Sequence, residues 1–156
     1  MTVNELMTPD PACCTPNTSL RDVARLMIDC DCGEIPVIAA GDGNRLIGVI
    51  TDRDIVCRTL ALGKNPLELT ARDCMSNPVV SVTPETRLDE CRRLMEKHQI
   101  RRMPVVDRSG VCCGIVAQAD IAECALDWES AELLKEVSRH PNGSSHDGAR
   151  LDMSER

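Results

Sequence analysis

The sequence predicts an α+β fold in which two β-α-β-β-α repeats pack sheet to sheet, followed by a C-terminal helical extension. The chain repeats itself: a shift of 68 residues aligns Pro36-Val37 with Pro104-Val105, and a shift of 66 aligns Gly48 with Gly114. Both copies pass from helical to strand periodicity in the same order. The linker, residues 65–70, is too short for independent domains, so the repeats are expected to pack directly on each other.

Each repeat opens with a short extended segment, residues 12–15 or 79–83, and continues into an amphipathic helix. Thr18 and Thr86 are the expected N-caps of these two helices. The apolar residues at helical spacing are Leu20, Val23, Ala24, Met27 and Ile28 in the first copy, and Leu88, Cys91, Leu94 and Met95 in the second.

Two strands and a second helix complete each repeat. Residues 35–39 and 103–106 are the predicted buried strands, and glycine-containing turns join them to strands at 46–50 and 111–116. Helices are predicted over 52–62 and 119–126, the latter continuing to about residue 139. The predicted division is therefore residues 1–66, residues 67–127, and a C-terminal helix with a disordered tail over 128–156.

Composition and charge narrow the functional classes. The net charge of −7 argues against nucleic-acid binding, because phosphate contacts need a surplus of Lys and Arg. No apolar run is long enough to span a membrane, and no basic, apolar signal sequence opens the chain, so a cytoplasmic location is expected. Trp128 is the one aromatic residue, so a bound base would have to lie between aliphatic side chains.

The positions of the ten cysteines favour a role in core packing over a role as metal ligands. None of them forms a Cys-x-x-Cys pair, which is the usual spacing of a metal site. Through the repeat, Cys14 aligns with Val82 and Cys91 with Val23, as expected of thiols that replace small core residues. No bound metal is expected.

Two related heptapeptides carry the functional signal: residues 48–54 (GVITDRD) and residues 114–120 (GIVAQAD). In each, a buried strand leads into a helix N-terminus, where free backbone N–H groups and the helix dipole favour an anion. Thr51 can add a hydroxyl, and Asp54 can accept hydrogen bonds from ribose hydroxyls. The alternative interpretation is that both residues only cap the following helix.

The duplicated motifs resemble the CBS domain, and the tandem resembles a CBS pair, or Bateman module. The resemblance covers about residues 4–127 and is carried by the Met-Thr-Pro start, the Ile-Pro-Val and Met-Pro-Val-Val-Asp strands, and the first heptapeptide. It implies two sheets related by a pseudo-twofold axis, with two clefts for an adenosyl ligand such as AMP, ADP, ATP, NAD or S-adenosylmethionine. It also implies a homodimer.

The resemblance assigns roles to particular residues. Asp54 and Asp120 would bind ribose and Thr51 would bind phosphate or ribose, but Ala117 stands where the family has Thr or Ser, so the Thr51 cleft is expected to be the stronger. Arg101 or Arg102 could hold phosphate at a cleft mouth. Aliphatic side chains around adenine would come from Ile35, Pro36, Val37, Met103, Pro104 and Val105. Backbone groups at Cys14 would hydrogen-bond to the edge of the base.

The expected function is regulatory, not enzymatic: a module that senses energy or redox status through an adenine nucleotide, with AMP, ATP or NAD favoured. No nucleophile–base–orienter set is evident around the three histidines. One alternative is a thiol- or metal-responsive interaction protein whose nucleotide clefts are vestigial. Another is a purely structural dimerisation module.

Overall fold

The computed structural model describes residues 1–126, which form the alternating helices and strands that the sequence predicts, so the α+β class is confirmed. The predicted helix and tail over 128–156 lie outside these residues. The elements in chain order are β1 (Thr8–Pro9), α1 (Leu20–Asp29), β2 (Glu34–Ile38), β3 (Leu46–Thr51), α2 (Asp52–Arg58), α3 (Ala71–Cys74), α4 (Leu88–His98), β4 (Arg102–Val106), β5 (Cys112–Ala117) and a helix over 118–126. Short 3-10 helices occupy Val3–Glu5, Leu60–Leu62 and Pro66–Glu68.

The strands form two equivalent sheets. β2 pairs antiparallel with β3, and β4 pairs antiparallel with β5, each pair with a register shift at its fourth position. β1 joins the second sheet, where Thr8 lies opposite Ile115, and Ser76 forms the matching bridge to Val49 in the first sheet. The strand that precedes each repeat therefore pairs with the other repeat.

The hydrophobic cores show the same exchange. The first cluster contains Leu20, Ile35 and Ile50 together with Ala71 and Cys74 from the start of the second repeat. The second cluster contains Met95, Met103 and Val116 together with Val3 from the N-terminus. Because the leading segment of each copy completes the core of the other, the two repeats stabilise each other.

Backbone hydrogen bonds repeat this arrangement in pairs. The N–H of Val3 donates to Thr86 O at 2.8 Å, and the N–H of Ala71 donates to Thr18 O at the same distance. The hairpins also meet end to end, since Leu46 N donates to Gly110 O at 3.0 Å. These matched contacts relate the repeats by a pseudo-twofold axis.

Helix ends differ from the prediction where a threonine hydroxyl forms a hydrogen bond with a neighbouring backbone group. α1 is capped by Ser19, whose Oγ accepts from Asp22 N at 3.1 Å, because the Thr18 hydroxyl accepts from Thr15 N instead. Thr86 is likewise bonded to Thr83 N, so the predictions of Thr18 and Thr86 as N-caps were wrong. α2 ends earlier than predicted, where the Thr59 hydroxyl donates to Ile55 O at 2.6 Å.

Candidate functional site

The first heptapeptide forms the expected turn from strand to helix. Thr51 is the N-cap of α2: its Oγ1 accepts from Asp54 N at 3.0 Å, and Asp54 Oδ2 accepts from Thr51 N at 3.0 Å. This reciprocal pair is a capping box, which satisfies two of the backbone donors that a helix start leaves open. Both predicted ligand-binding side chains thus also have a structural role.

Arg58 adds a contact that the sequence analysis missed. Its Nη2 lies 3.5 Å from Asp54 Oδ1 and donates to Ser76 Oγ at 3.0 Å, while Nη1 donates to Cys74 O and Met75 O. Helical spacing from Asp54 could have suggested the ion pair, but the carbonyl partners come from the second repeat. The first turn is therefore held largely by internal partners.

The second heptapeptide forms the same turn with fewer bonds. Asp120 Oδ2 accepts a hydrogen bond from Ala117 N at 3.2 Å. Ala117 has no hydroxyl that could accept a second hydrogen bond from Asp120 N. The carboxylate is kept near the strand end, but only half of the capping box is made.

A cavity of about 410 Å³ opens beside this second turn, which is within the size range of small-molecule sites. Residues from both repeats line it, and among those described, Thr51 and Asp54 are absent from its wall. It brings Asp120 and Arg102 of the second repeat against Pro36 of the first. The described residues that line it are Thr8, Asp10, Pro11, Ala12, Cys30, Asp31, Cys32, Glu34, Pro36, Arg102, Ile115, Ala117 and Asp120.

Strand alternation explains which predicted wall residues reach the cavity. Successive side chains point to opposite faces, so Glu34 and Pro36 line the cavity while Ile35 and Val37 lie in the first core. On β4, Arg102 lines the cavity while Met103 and Val105 lie in the second core.

The remaining predicted site residues lie outside this wall. Cys14 is buried in the first core, and its N–H donates to Pro36 O at 3.0 Å. Pro104, the counterpart of Pro36, is buried, and Arg101 is exposed to solvent.

Glu34 is the cavity residue that sequence reasoning missed. Only 9% of it is exposed, and its buried Oε1 has no hydrogen-bond partner in the described part of the chain. Burial raises the pKa of this carboxyl to about 7; nearby Asp54 also raises the pKa, and Arg102 opposes the shift. Its position just before a predicted apolar strand gave no sign of this environment.

Arg102 reaches across to the first repeat. A Cβ placed on Gly33 would lie 3.4 Å from Arg102 Nη1 and 2.9 Å from Asp52 Oδ2, so both side chains approach the space over this glycine. Arg102 and Glu34 occupy equivalent positions in the repeats and carry opposite charges. Within residues 1–126, no ion pair within 4 Å joins them.

The cysteines divide into buried and accessible groups. Cys14, Cys74 and Cys91 are buried, as expected of core thiols, whereas Cys30 and Cys57 are exposed. A hydrogen bond from the Cys112 thiol lowers the pKa of Cys13, while the same contact and burial raise the pKa of Cys112. This thiol pair joins the segment before α1 to β5.

The part of the chain that the structure describes shows no group of three or more Cys, His, Asp and Glu side chains arranged to hold a metal ion. It also contains no helix long and apolar enough to cross a membrane.

Comparison with known proteins identifies the repeat. The CBS domain model matches twice, over residues 3–58 and 71–127. The CBS domain-containing protein YhcV of Bacillus subtilis is 39% identical over 129 residues, which cover 83% of this chain and 89% of the relative. Hypoxic response protein 1 of Mycobacterium tuberculosis is 36% identical over 136 residues, or 87% of this chain and 93% of that protein.

Solved structures agree with this match, and some contain ligands. Hypoxic Response Protein I with two coordinated zinc ions has a TM-score of 0.71 at 34% identity, covering 79% of this chain and 98% of that one. CBSX2 in complex with AMP has a TM-score of 0.71 at 26% identity, with coverages of 82% and 98%. The CBS pair of MJ0100, in complex with 5′-methylthioadenosine and S-adenosyl-L-methionine, also has a TM-score of 0.71 at 26% identity, with coverages of 80% and 94%.

Zinc in a structural relative means that the expected absence of a metal stays a prediction for this chain. The fold and repeat, by contrast, are established by matches over both halves. With its two matched repeats, exchanged leading segments and paired sheets, the chain belongs to the CBS-domain family as a tandem CBS pair.

Proposed function

We propose that this CBS pair is a regulatory module that binds an adenosyl ligand between its repeats and carries no catalytic activity. The observation that carries the proposal is the cavity of about 410 Å³ lined by both repeats beside the Asp120 turn. AMP in one structural relative and S-adenosyl-L-methionine in another support this ligand class.

The side chains around the cavity suit a nucleoside. Asp120 is half-buried and uses Oδ2 to accept one backbone bond, which leaves acceptor capacity for ribose hydroxyls. Pro36 and Ile115 offer aliphatic surface to the base, as a chain with a single aromatic residue requires. The Thr51 and Asp54 turn would be the second, pseudo-equivalent site.

Signalling would follow from the fact that residues of both repeats line the cavity. A ligand that contacts both repeats favours one arrangement of their packing, and a different surface is then presented to a partner. AMP, ATP and NAD are ligands to compare because they would report energy or redox status, and S-adenosylmethionine is the fourth because a structural relative contains it. The partner surface is proposed to include a second copy of the chain, which sedimentation velocity would detect as a homodimer.

Isothermal titration of the full chain with these four ligands tests the proposal. At least one should bind, and Asp120→Ala should weaken it about 10- to 150-fold, equivalent to about 1.5–3 kcal/mol for a charged hydrogen-bond acceptor. Asp54→Ala reports the other cleft, and Asp42→Ala in an exposed hairpin turn is the matched control. An absence of heat with all four ligands would overturn the proposal.

A thiol-responsive function is the second candidate, and the contact between Cys13 and Cys112 favours it. Hydrogen peroxide would take two electrons and two protons from the pair, giving one disulfide and two water molecules. Thiol counting before and after peroxide should then show the loss of two thiols. An unchanged thiol count after peroxide in Cys13→Ser would assign the loss to this pair, and an unchanged count in the unmodified chain would exclude it.

A further inference from the structure

The cavity wall carries an unequal balance of charge. Among residues 1–126, it is lined by four carboxyl groups, from Asp10, Asp31, Glu34 and Asp120, and by one guanidinium, that of Arg102. Arg102 also lies near carboxyl groups of the first repeat. It interacts electrostatically with Glu34, and both Arg102 and Asp52 approach the space over Gly33. A polyphosphate would therefore meet a predominantly acidic site.

Glu34 distinguishes this wall from a set of solvated surface charges. It lines the cavity, is nine-tenths buried, and has no hydrogen-bond partner for its Oε1 among the described residues. Buried polar groups are almost always satisfied in folded proteins, so this carboxyl is an exception, and its ionised form gains from a positive charge placed in the cavity. Oε1 itself has almost no accessible surface, so a ligand would act on the carboxyl through its charge.

We propose that Glu34 makes this cavity selective for adenosyl ligands with a positively charged 5′ substituent, such as a sulfonium nucleoside, over those with a polyphosphate. The inference rests on the proposed function and names the ligand class within it. A cation in the cavity would be attracted by the charge of the Glu34 carboxylate, whereas a phosphate would be repelled by the same carboxylate.

The test compares adenosine, S-adenosylmethionine and ADP, which share a nucleoside and differ in 5′ charge. Titrated into the full chain at pH 8, S-adenosylmethionine should bind at least about tenfold more tightly than ADP. Glu34→Gln should reduce that ratio about tenfold and leave adenosine within about twofold. Glu90→Gln, an exposed substitution on α4 with the same change in net charge, should leave the ratio unchanged.

A pH titration of the unmodified chain gives a second readout. Burial raises the pKa of Glu34 to about 7, and Arg102 and Asp54 are the charged neighbours that act on it. Protonation at pH 6 removes the carboxylate charge, so the preference for S-adenosylmethionine should shrink by more in the unmodified protein than in Glu34→Gln, where the terminal phosphate of ADP still titrates.

The outcomes separate the two proposals. Equal or tighter binding of ADP, or an unchanged ratio in Glu34→Gln, overturns the selectivity while adenosyl binding stands. If none of the three binds, and AMP, ATP and NAD also give no heat, the proposed function itself is wrong.

Discussion

Thr51 and Ala117 occupy equivalent positions at the two strand-to-helix turns, and their difference changes the bonds that each turn can make. Thr51 completes a capping box with Asp54, whereas Ala117 provides only its N–H to Asp120. The lost hydroxyl is evident from the sequence, where it predicts only weaker ligand binding. Its structural consequence is that Asp120 is held by one bond fewer.

A reciprocal exchange tests this difference. Thr51→Ala should lower the free energy of unfolding by about 1 kcal/mol, because it removes the hydroxyl that accepts from Asp54 N. Ala117→Thr should raise it by up to about 1 kcal/mol by completing the second box. Urea denaturation of both variants measures the effects, and a stabilised Thr51→Ala would contradict the account.

Glu34 shows the limit of sequence reasoning at the residue scale. Glutamate before an apolar strand is ordinarily solvated, and nothing local indicates otherwise. Its burial and its electrostatic neighbours depend on α2 of its own repeat and β4 of the other, contacts that only the folded packing creates.

The buried carboxyl predicts a pH dependence of stability. Its folded pKa of about 7 lies above the ordinary value of 4.5, so the folded chain holds more protons between these values. The Glu34 contribution to the free energy of unfolding should therefore fall by about 3 kcal/mol as the pH rises from 4.5 to 7.

Urea denaturation from pH 5 to pH 8 measures this contribution as the difference between the unmodified chain and Glu34→Gln. Glu90→Gln should retain the pH slope of the unmodified chain. A slope in Glu34→Gln equal to that of the unmodified chain would refute the assignment.

At the scale of elements, the periodicity of helices and strands was sufficient to predict most of the fold. β2 to β5 begin and end within a residue or so of the prediction, because burial imposes the same alternation on both copies. The exchange of leading segments was not predicted. Val3 and Ala71 are short apolar residues in polar surroundings, and their burial depends on segments of the other repeat that are distant in the sequence.

Truncation of an exchanged residue tests this packing. Val3 is fully buried in the second core, so Val3→Ala should lower the free energy of unfolding by about 2 kcal/mol. Val56→Ala, on the exposed face of α2, should change it by less than about 0.5 kcal/mol. Equal effects of the two substitutions would mean that the N-terminal segment does not complete the core.

At the scale of the molecule, the duplication produces a cavity that neither repeat could form alone. Pro36 and Glu34 come from one copy, and Arg102 and Asp120 from the other. The sequence predicted the family, the two turns and Arg102 near a cleft, because these depend on local motifs. It favoured the Thr51 turn as the stronger site, and the location of the cavity beside Asp120 follows from packing between the repeats.

The central claim is that an adenosyl ligand binds in the cavity shared by the two repeats. A crystal structure of the full chain grown with saturating S-adenosylmethionine or AMP tests it most directly. The account predicts density for the nucleoside between Pro36 and Ile115, with its ribose hydroxyls on Asp120. A saturated crystal in which this cavity holds no nucleoside would contradict it.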